Sequence, residues 1–225
     1  GVPAPDSPRI ERYDAILEAL DTELGRLLDT VDAGVLARTT VIALGDNGTS
    51  DAGTVDPALS DRAKHTMYEG GVRVPFVVVS PHVVDPGRTS GALVHVADIF
   101  PTVADLAGVP LEGPEGQFLA SGVELDGRSF LPHLLDPTVR GRDWVYAEAV
   151  GNGPPPHTID RNAVITSTHK LVNFRGRELF RLTGEHAWDD TALDLGALAP
   201  EDAIALERLE TILDAAPLTW AYEGR

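Results

Sequence analysis

The chain has 225 residues and a formal net charge of −17, since 18 Lys and Arg stand against 35 Asp and Glu. Such an acidic surface repels phosphodiester backbones, which argues against nucleic acid as a partner. No apolar run approaches the roughly 18 residues of a membrane span, so we expect a soluble chain without membrane contact and of unknown compartment. It has no cysteine, which excludes disulfides and thiolate chemistry from these residues. Because the single methionine is the internal Met67, we expect a piece of a longer protein, with any signal peptide out of view.

The first part of the chain predicts helices that alternate with buried strands. Apolar residues from Ile10 to Val31 recur three or four apart and predict a helix. The β-branched run 39–44 predicts a strand buried on both faces, as in a parallel sheet covered by helices. A second strand is expected over residues 72–80, and further helices over 96–107 and 129–135. This alternation predicts a layered α/β domain over residues 7–142.

The predicted elements become shorter from residue 143 onward. Short strands are expected at 144–149, 163–167, 170–174 and 178–182, with a hairpin turn at 175–177. A closing helix over 200–215 is expected to bury Leu206, Leu209 and Leu213. We therefore predict a second domain over residues 143–225, a small antiparallel sheet with a helix laid across it.

The tripeptide Asp46-Asn47-Gly48 directly follows the first predicted strand. It places a carboxylate and an amide oxygen at the carboxyl end of that strand, where ligands bind in α/β sheets. Adjacent oxygen donors suit a hard divalent cation such as Ca²⁺ or Mg²⁺. The same tripeptide also favours a plain turn, and taken alone a turn is the commoner explanation.

Lys64 lies 18 residues after Asp46 and shortly before Glu69-Gly70-Gly71. A lone lysine ahead of such a turn is usually a solvated surface charge. Because this one stands between two predicted core strands, it could return to the same sheet edge as Asp46. An ammonium at that edge would neutralise an oxygen of a bound sulfate or phosphate.

Together these two segments resemble the sulfatase family of the alkaline phosphatase superfamily. Its members carry Asp-Asn-Gly or Asp-His-Gly after a strand, then a lysine shortly before Glu-Gly-Gly-x-Arg-x-Pro. Residues 96–102, 126–132 and 178–182 resemble later landmarks of the family, in the same order. The resemblance implies part of an alkaline-phosphatase-like layered α/β domain, with a mostly parallel sheet and flanking helices, followed by the small antiparallel sheet and C-terminal helix.

The resemblance also implies roles for individual residues. Asp46 and Asn47 would be two ligands of a divalent metal, Ca²⁺ in preference to Mg²⁺. Lys64 would be the catalytic residue that contacts the sulfate. His65 could touch substrate, although a partly exposed loop histidine is the commoner explanation. The intact enzyme would be a sulfuric ester hydrolase acting on a small sulfate ester or a sulfated sugar.

The residues that start the family's reaction are missing. Family members attack the ester with a formylglycine hydrate made from Cys or Ser in a Cys/Ser-x-Pro-Ser-Arg motif, and this chain has no such motif and no nucleophile. Paired aspartates that complete the metal site also have no counterpart. We therefore expect a C-terminal portion of a sulfatase that is inactive alone. Its uncovered apolar faces predict self-association.

Two other functions are compatible with the residues. The chain could belong to a phosphonate or phosphate ester hydrolase of the same superfamily, because both anions are tetrahedral. It could also be a non-catalytic, degenerate sulfatase-like binding module. The coding sequence upstream of Gly1 would discriminate between a catalytic protein and such a module.

Overall fold

The computed structural model describes residue 4 and residues 6–50, 61–111, 125–150, 157–182, 191–215 and 219–220. The chain forms two compact units, one from Gly1–Val79 with Tyr146–Arg225 and one from Ser80–Val145. The sequence instead placed a domain boundary between residues 142 and 143, and that boundary stays a prediction. In the described part of the chain, no helix combines the length and the apolarity that crossing a bilayer requires.

The first unit opens with the amphipathic helix that the sequence predicted. Helix α1 spans Arg9–Asp29, and Thr30 is its C-cap. A short helix, α2 (Ala33–Leu36), follows after Asp32, whose Oδ1 accepts the amide hydrogen of Gly34 at 2.9 Å. The structure buries none of the residues of α1.

The next two strands lie antiparallel. Strand β1 (Val41–Leu44) pairs with β2 (Phe76–Val79), so that Leu44 stands opposite Phe76. The mostly parallel sheet expected from the sequence is therefore wrong for this pair. The short helix α3 (Glu69–Val72) leads into β2, which runs in the direction opposite to β1. The amide of Gly45 donates to the carbonyl of Pro75 at 3.0 Å and closes this reversal.

The predicted burial of this pair on both faces is also wrong within the described residues. Leu44 is 38% exposed and Val79 is 63% exposed. An apolar run allows a strand to be buried on both faces, but burial also requires other helices or strands that pack against those faces.

The second sheet agrees with the sequence prediction. Among the described residues it has the strand order β3-β4-β5-β6, and β7 pairs with β4 outside that order. The strands β4, β5 and β6 are joined antiparallel, as are β4 and β7. The ranges are β3 (Val145–Val150), β4 (His157–Ile165), β5 (His169–Asn173), β6 (Arg177–Arg181) and β7 (Thr219–Trp220). Gly176, in the turn between β5 and β6, has a φ of 119°, which favours glycine there.

The hydrophobic core of the first unit lies between this sheet and helix α6, which spans Pro200–Ala215 as predicted. Leu209 and Leu213 are 1% and 2% exposed, and Leu206 packs at the edge of the same cluster. The sheet contributes the buried side chains Val164, Leu171 and Leu179.

The second unit is built around a buried carboxylate. A 3₁₀ turn (Val96–Asp98) leads into α4 (Ile99–Leu106), and α5 covers Leu131–Leu135. Asp98, 2% exposed, accepts the amide hydrogens of His95 and Arg128 at 2.8 Å each and pairs with the guanidinium of Arg142. Two of the motifs quoted for the resemblance, around residues 98 and 128, are therefore held together because Asp98 accepts the hydrogen bond of the Arg128 amide.

Candidate functional site

The loop that carries Asp46 and Asn47 begins where β1 ends. The hydrogen bond from Gly45 to Pro75 fixes its first residue against the start of β2. Asp46 is exposed and Asn47 is half-buried, so one carboxylate and one amide stand side by side at the strand end. The structure thus agrees with the predicted position, while the role of these two residues as metal ligands stays a prediction.

Gly48 brings this loop into direct contact with the Glu-Gly-Gly turn. Its amide donates to the carbonyl of Gly71 at 3.0 Å. A Cβ placed on Gly48 would overlap the carbonyl of Gly70, so the two backbones approach more closely than any side chain permits. The glycines of both motifs therefore serve one junction between two separate segments.

Lys64 lies at the same junction. Its amide donates to the carbonyl of Thr49 at 2.9 Å, and its side chain is half-buried. The structure therefore brings together the Asp-Asn-Gly loop and the lysine that the sequence placed at one sheet edge. The contact of Lys64 with sulfate stays a prediction.

His65, beside Lys64, is exposed and has a φ of 73°, a left-handed backbone uncommon for a residue with a side chain. Its carbonyl accepts a hydrogen bond from Nη1 of Arg161 at 2.8 Å. This contact fixes the backbone of His65 from strand β4. Whether its imidazole touches substrate or only solvent stays as open as the sequence left it.

Glu69 connects the Glu-Gly-Gly turn to strand β5. It is 5% exposed, and its Oε1 accepts a hydrogen bond from Nζ of Lys170 at 2.7 Å. Arg73 lies farther away, at 3.6 Å from the other carboxylate oxygen. Lys170 is fully buried in strand β5. No local signal could reveal its burial, because its partner is 101 residues away.

Tyr68 forms a second connection to the antiparallel sheet. Its hydroxyl donates to Oε2 of Glu178, and its ring meets those of Phe174 and Phe180 edge-on at 6.2 and 6.0 Å. Burial, and then the hydrogen bond to Glu178, raise the pKa of Tyr68 to about 12. The phenol therefore stays neutral at ordinary pH and acts as a hydrogen-bond donor.

Another polar cluster joins strand β5 to helix α6. Nε2 of His169 lies 2.9 Å from Oδ1 of Asp202, and the guanidinium of Arg181 bonds both carboxylate oxygens, at 3.0 and 2.6 Å. Arg181, and then His169, hold the pKa of the Asp202 carboxyl below its ordinary value. Since each group in this cluster is satisfied by another, the cluster stabilises the fold and does not present a reactive group.

The oxygen donors at the junction fit a hard cation only in part. Ca²⁺ takes about six to eight oxygens and Mg²⁺ about six. Asp46 and Asn47 supply two side-chain donors of the correct chemistry. Within the described ranges, no group of three or more His, Cys, Asp or Glu side chains is placed to hold a metal ion. The loop can thus form one side of a metal site and needs further donors to complete it.

Comparison with known proteins agrees with the quoted motifs. The model of the family described as Sulfatase matches residues 3–109. A protein named Sulfatase from Formosa agariphila is 36% identical over 134 residues, which cover 55% of this chain and 23% of that protein. The chain thus aligns with about a quarter of the length of this curated relative.

Solved structures show the same fold. The structure of Ps i-CgsB in complex with k-i-k-neocarrahexaose is similar with a TM-score of 0.69, at 21% identity over 94% of this chain and 44% of that one. The phosphonate monoester hydrolase SpPMH from Silicibacter pomeroyi is similar with a TM-score of 0.58, at 22% identity over 86% of this chain and 37% of that one. These neighbours show an alkaline-phosphatase-like fold. Residues 3–109 are thus similar in sequence to the sulfatase family, and the chain shares the fold of these solved structures.

Proposed function

We propose that the chain supplies one side of the active site of a sulfuric ester hydrolase. Asp46 and Asn47 contribute two oxygens to a divalent-metal site, and Lys64 binds the sulfate group. The observation that carries the proposal is the backbone junction, in which Lys64 bonds Thr49 while Gly48 bonds Gly71. This junction brings together two segments. Taken alone, the first is explained by a plain turn and the second by a surface lysine.

The oxygen donors suit a hard divalent cation, and the family resemblance favours Ca²⁺ over Mg²⁺. When bound, such an ion supplies positive charge that attracts and polarises sulfate oxygens. Asp46 and Asn47 would hold it at the end of β1, close to the backbone of residues 64–71. Two donors give weak binding, so tight binding requires further donors.

Lys64 would act on the sulfate itself. Its ammonium is a compact point charge with three donors, which suits one or two oxygens of a tetrahedral anion. Charge that builds on these oxygens as the ester bond breaks is stabilised by a positive group already in place. The hydrogen bond to Thr49 supports this role, because it fixes the Lys64 backbone relative to Asp46 and Asn47.

The covalent step has no agent in this chain. The sequence contains no cysteine and no Cys/Ser-x-Pro-Ser-Arg motif. We therefore propose that the 225 residues alone do not hydrolyse sulfate esters. Turnover of an aryl sulfate by the purified chain, lost in Asp46→Ala, would contradict this.

Calorimetric titration with N-acetylglucosamine 6-sulfate tests the role of Lys64. We expect Lys64→Ala to weaken binding by about tenfold, as for the loss of one charge-assisted contact. Arg26→Ala removes the same charge from an exposed position on α1 and should leave binding unchanged. Equal affinity of Lys64→Ala and the unaltered chain would exclude Lys64 as the sulfate ligand.

A hydrolase of phosphonate or phosphate esters is the second candidate, favoured by the similarity to the phosphonate monoester hydrolase. Both anions would meet the same lysine. Titration with phenylphosphonate discriminates between the two hydrolases, since a phosphonate enzyme should bind it more tightly than the sulfate ester.

The third alternative is a non-catalytic, sulfatase-like binding module. The coding sequence upstream of Gly1 tests it, because a native start directly before Gly1 would favour such a module.

A further inference from the structure

We propose that Arg161 and Arg175, stacked on Phe174 beside Lys64, bind a second sulfate group of the substrate. The site would then prefer sulfate esters that carry two sulfates over those that carry one. This inference rests on the proposed function, because it assigns the first sulfate to Lys64.

Phe174 fixes the position of both guanidinium groups. Cζ of Arg161 lies 5.4 Å from the centre of its ring, and Cζ of Arg175 lies 5.2 Å from it. Phe174 is itself held edge-on against the buried Tyr68 at 6.2 Å. Stacking on an aromatic ring limits the orientations of a guanidinium. Phe174 thus preorganises two guanidinium groups against one ring.

The pair is connected directly to the proposed sulfate site. Nη1 of Arg161 donates to the carbonyl of His65 at 2.8 Å, and His65 is the neighbour of Lys64. The left-handed backbone of His65, at a φ of 73°, is an unfavourable conformation that this hydrogen bond helps to hold. Arg161 therefore meets the same loop that presents the lysine.

Three arginines lie against two aromatic rings in an otherwise acidic chain. The chain as a whole has a net charge of −17. Arg161 and Arg175 lie over Phe174, and Cζ of Arg62 lies 4.9 Å from the ring of Tyr68. Asp61 and Glu178 are the acidic partners there, bonded to Arg175 and Tyr68. Positive charge gathered in this way would attract an anionic group.

Arg175 can exchange its present partner for a ligand. It pairs with Oδ2 of Asp61 at 3.4 Å, and both side chains are more than half exposed. Such an exposed pair contributes little to stability, so displacement by a sulfate costs little. The fork of a guanidinium matches two oxygens of a tetrahedral anion better than an ammonium does.

Two sugars with the same 6-sulfate test the proposal, because they differ only at nitrogen, where one carries an acetyl group and the other a second sulfate. N-acetylglucosamine 6-sulfate and glucosamine 2-N,6-O-disulfate are titrated calorimetrically into the complete 225-residue chain. We expect the disulfate to bind about tenfold more tightly. Arg161→Gln and Arg175→Gln should each reduce this ratio to about threefold or less. Arg140→Gln, which removes the same charge from a residue paired with Asp143, should leave the ratio unchanged.

Three results would overturn the proposal: equal binding of both sugars, a ratio that survives both arginine substitutions, or no binding of either sugar at millimolar concentration. Arg175→Gln keeps the test valid if Arg161→Gln fails to fold, since Arg175 is exposed. Lys64→Ala separates the two proposals. If it weakens both sugars equally, both proposals stand. If it leaves monosulfate binding intact while the ratio still depends on the arginines, the role of Lys64 fails and the second sulfate site stands.

Discussion

Among single residues, Glu69 and Lys170 form the main connection between the Glu-Gly-Gly turn and the antiparallel sheet. Their side chains are 6% and 0% exposed, and the two charged atoms lie 2.7 Å apart. A buried pair of this kind adds little over an apolar pair, but the loss of one partner leaves an uncompensated charge. The turn that carries Gly70 and Gly71 thus depends on a lysine far away in the sequence.

We predict that Lys170→Met lowers the free energy of unfolding by about 3–5 kcal/mol, because Glu69 loses its nearest cation. Urea unfolding followed by circular dichroism measures this. The double variant Glu69→Gln/Lys170→Met should lose less than Lys170→Met alone. As a control, Arg177→Met breaks exposed pairs with Glu210 and Asp214 and should cost less than about 1 kcal/mol. A loss below that size in Lys170→Met would refute the assigned role.

Asp202 makes the stability depend on acid. Arg181, followed by His169, lowers the pKa of its carboxyl below the ordinary value of 3.8. A carboxyl with a lowered pKa in the folded state stabilises the fold above its unfolded pKa and loses that contribution as the pH falls through the folded one. We predict that melting temperature falls more between pH 5 and pH 3 in the unaltered chain than in Asp202→Asn. Asp143→Asn serves as control and should follow the unaltered chain; parallel curves for Asp202→Asn would contradict the prediction.

At the scale of elements, the small antiparallel sheet and α6 are the parts that the sequence predicts well. Alternating strand residues and the spacing of Leu206, Leu209 and Leu213 are local signals, and the core forms from these side chains. The pairing direction of β1 and β2 is not a local property, because it depends on how the chain returns after Gly45. Apolar composition alone suggested parallel, fully covered strands there.

Helix α6 offers a test of that core. Leu209 is 1% exposed, so Leu209→Ala should lower the free energy of unfolding by about 2–5 kcal/mol through lost burial and a cavity. Ile204 lies on the same helix and is 68% exposed, so Ile204→Ala should change it by less than about 0.5 kcal/mol. Urea unfolding of both variants measures the difference. Similar losses of unfolding free energy in Leu209→Ala and Ile204→Ala would contradict a core at Leu209.

The candidate site, like the fold, was predictable only in part. The proposed ligand-binding residues Asp46, Asn47 and Lys64 could be predicted, since they belong to motifs whose order implies a common sheet edge. The side-chain pairs that hold these segments could not be predicted, because Glu69 and Lys170 are 101 residues apart in the sequence and Tyr68 and Glu178 are 110 residues apart. Burial of a charged strand residue such as Lys170 also contradicts the usual preference of lysine for the surface.

For the whole molecule, the exposed apolar side chains are the most consequential feature. On α1, Ile16 is 64% exposed, Leu20 is 63% exposed and Leu27 is 57% exposed. On β2, Val77 is 56% exposed and Val79 is 63% exposed. Exposed apolar side chains of this kind favour association. The net charge of −17 opposes it, and salt weakens that repulsion.

We therefore predict that the purified chain self-associates and that the mean mass from light scattering rises with salt concentration. The double variant Ile16→Glu/Leu20→Glu should shift the population toward monomer. Thr22→Glu, on an exposed position of the same helix, adds charge without removing an apolar side chain and should have a smaller effect. A monodisperse monomer with a cooperative melt at high salt would refute the prediction.

We propose that the Asp-Asn-Gly loop and the Lys64 segment form one site for a cation and a sulfate. Residue-resolved NMR titration of the chain, first with Ca²⁺ and then with inorganic sulfate, tests for this site. We predict that Ca²⁺ shifts the amides of residues 46–49 and that sulfate shifts those of residues 64 and 65. Asp46→Asn should remove the first response and Lys64→Ala the second. Shifts confined to other regions, or unchanged by both substitutions, would exclude a shared site.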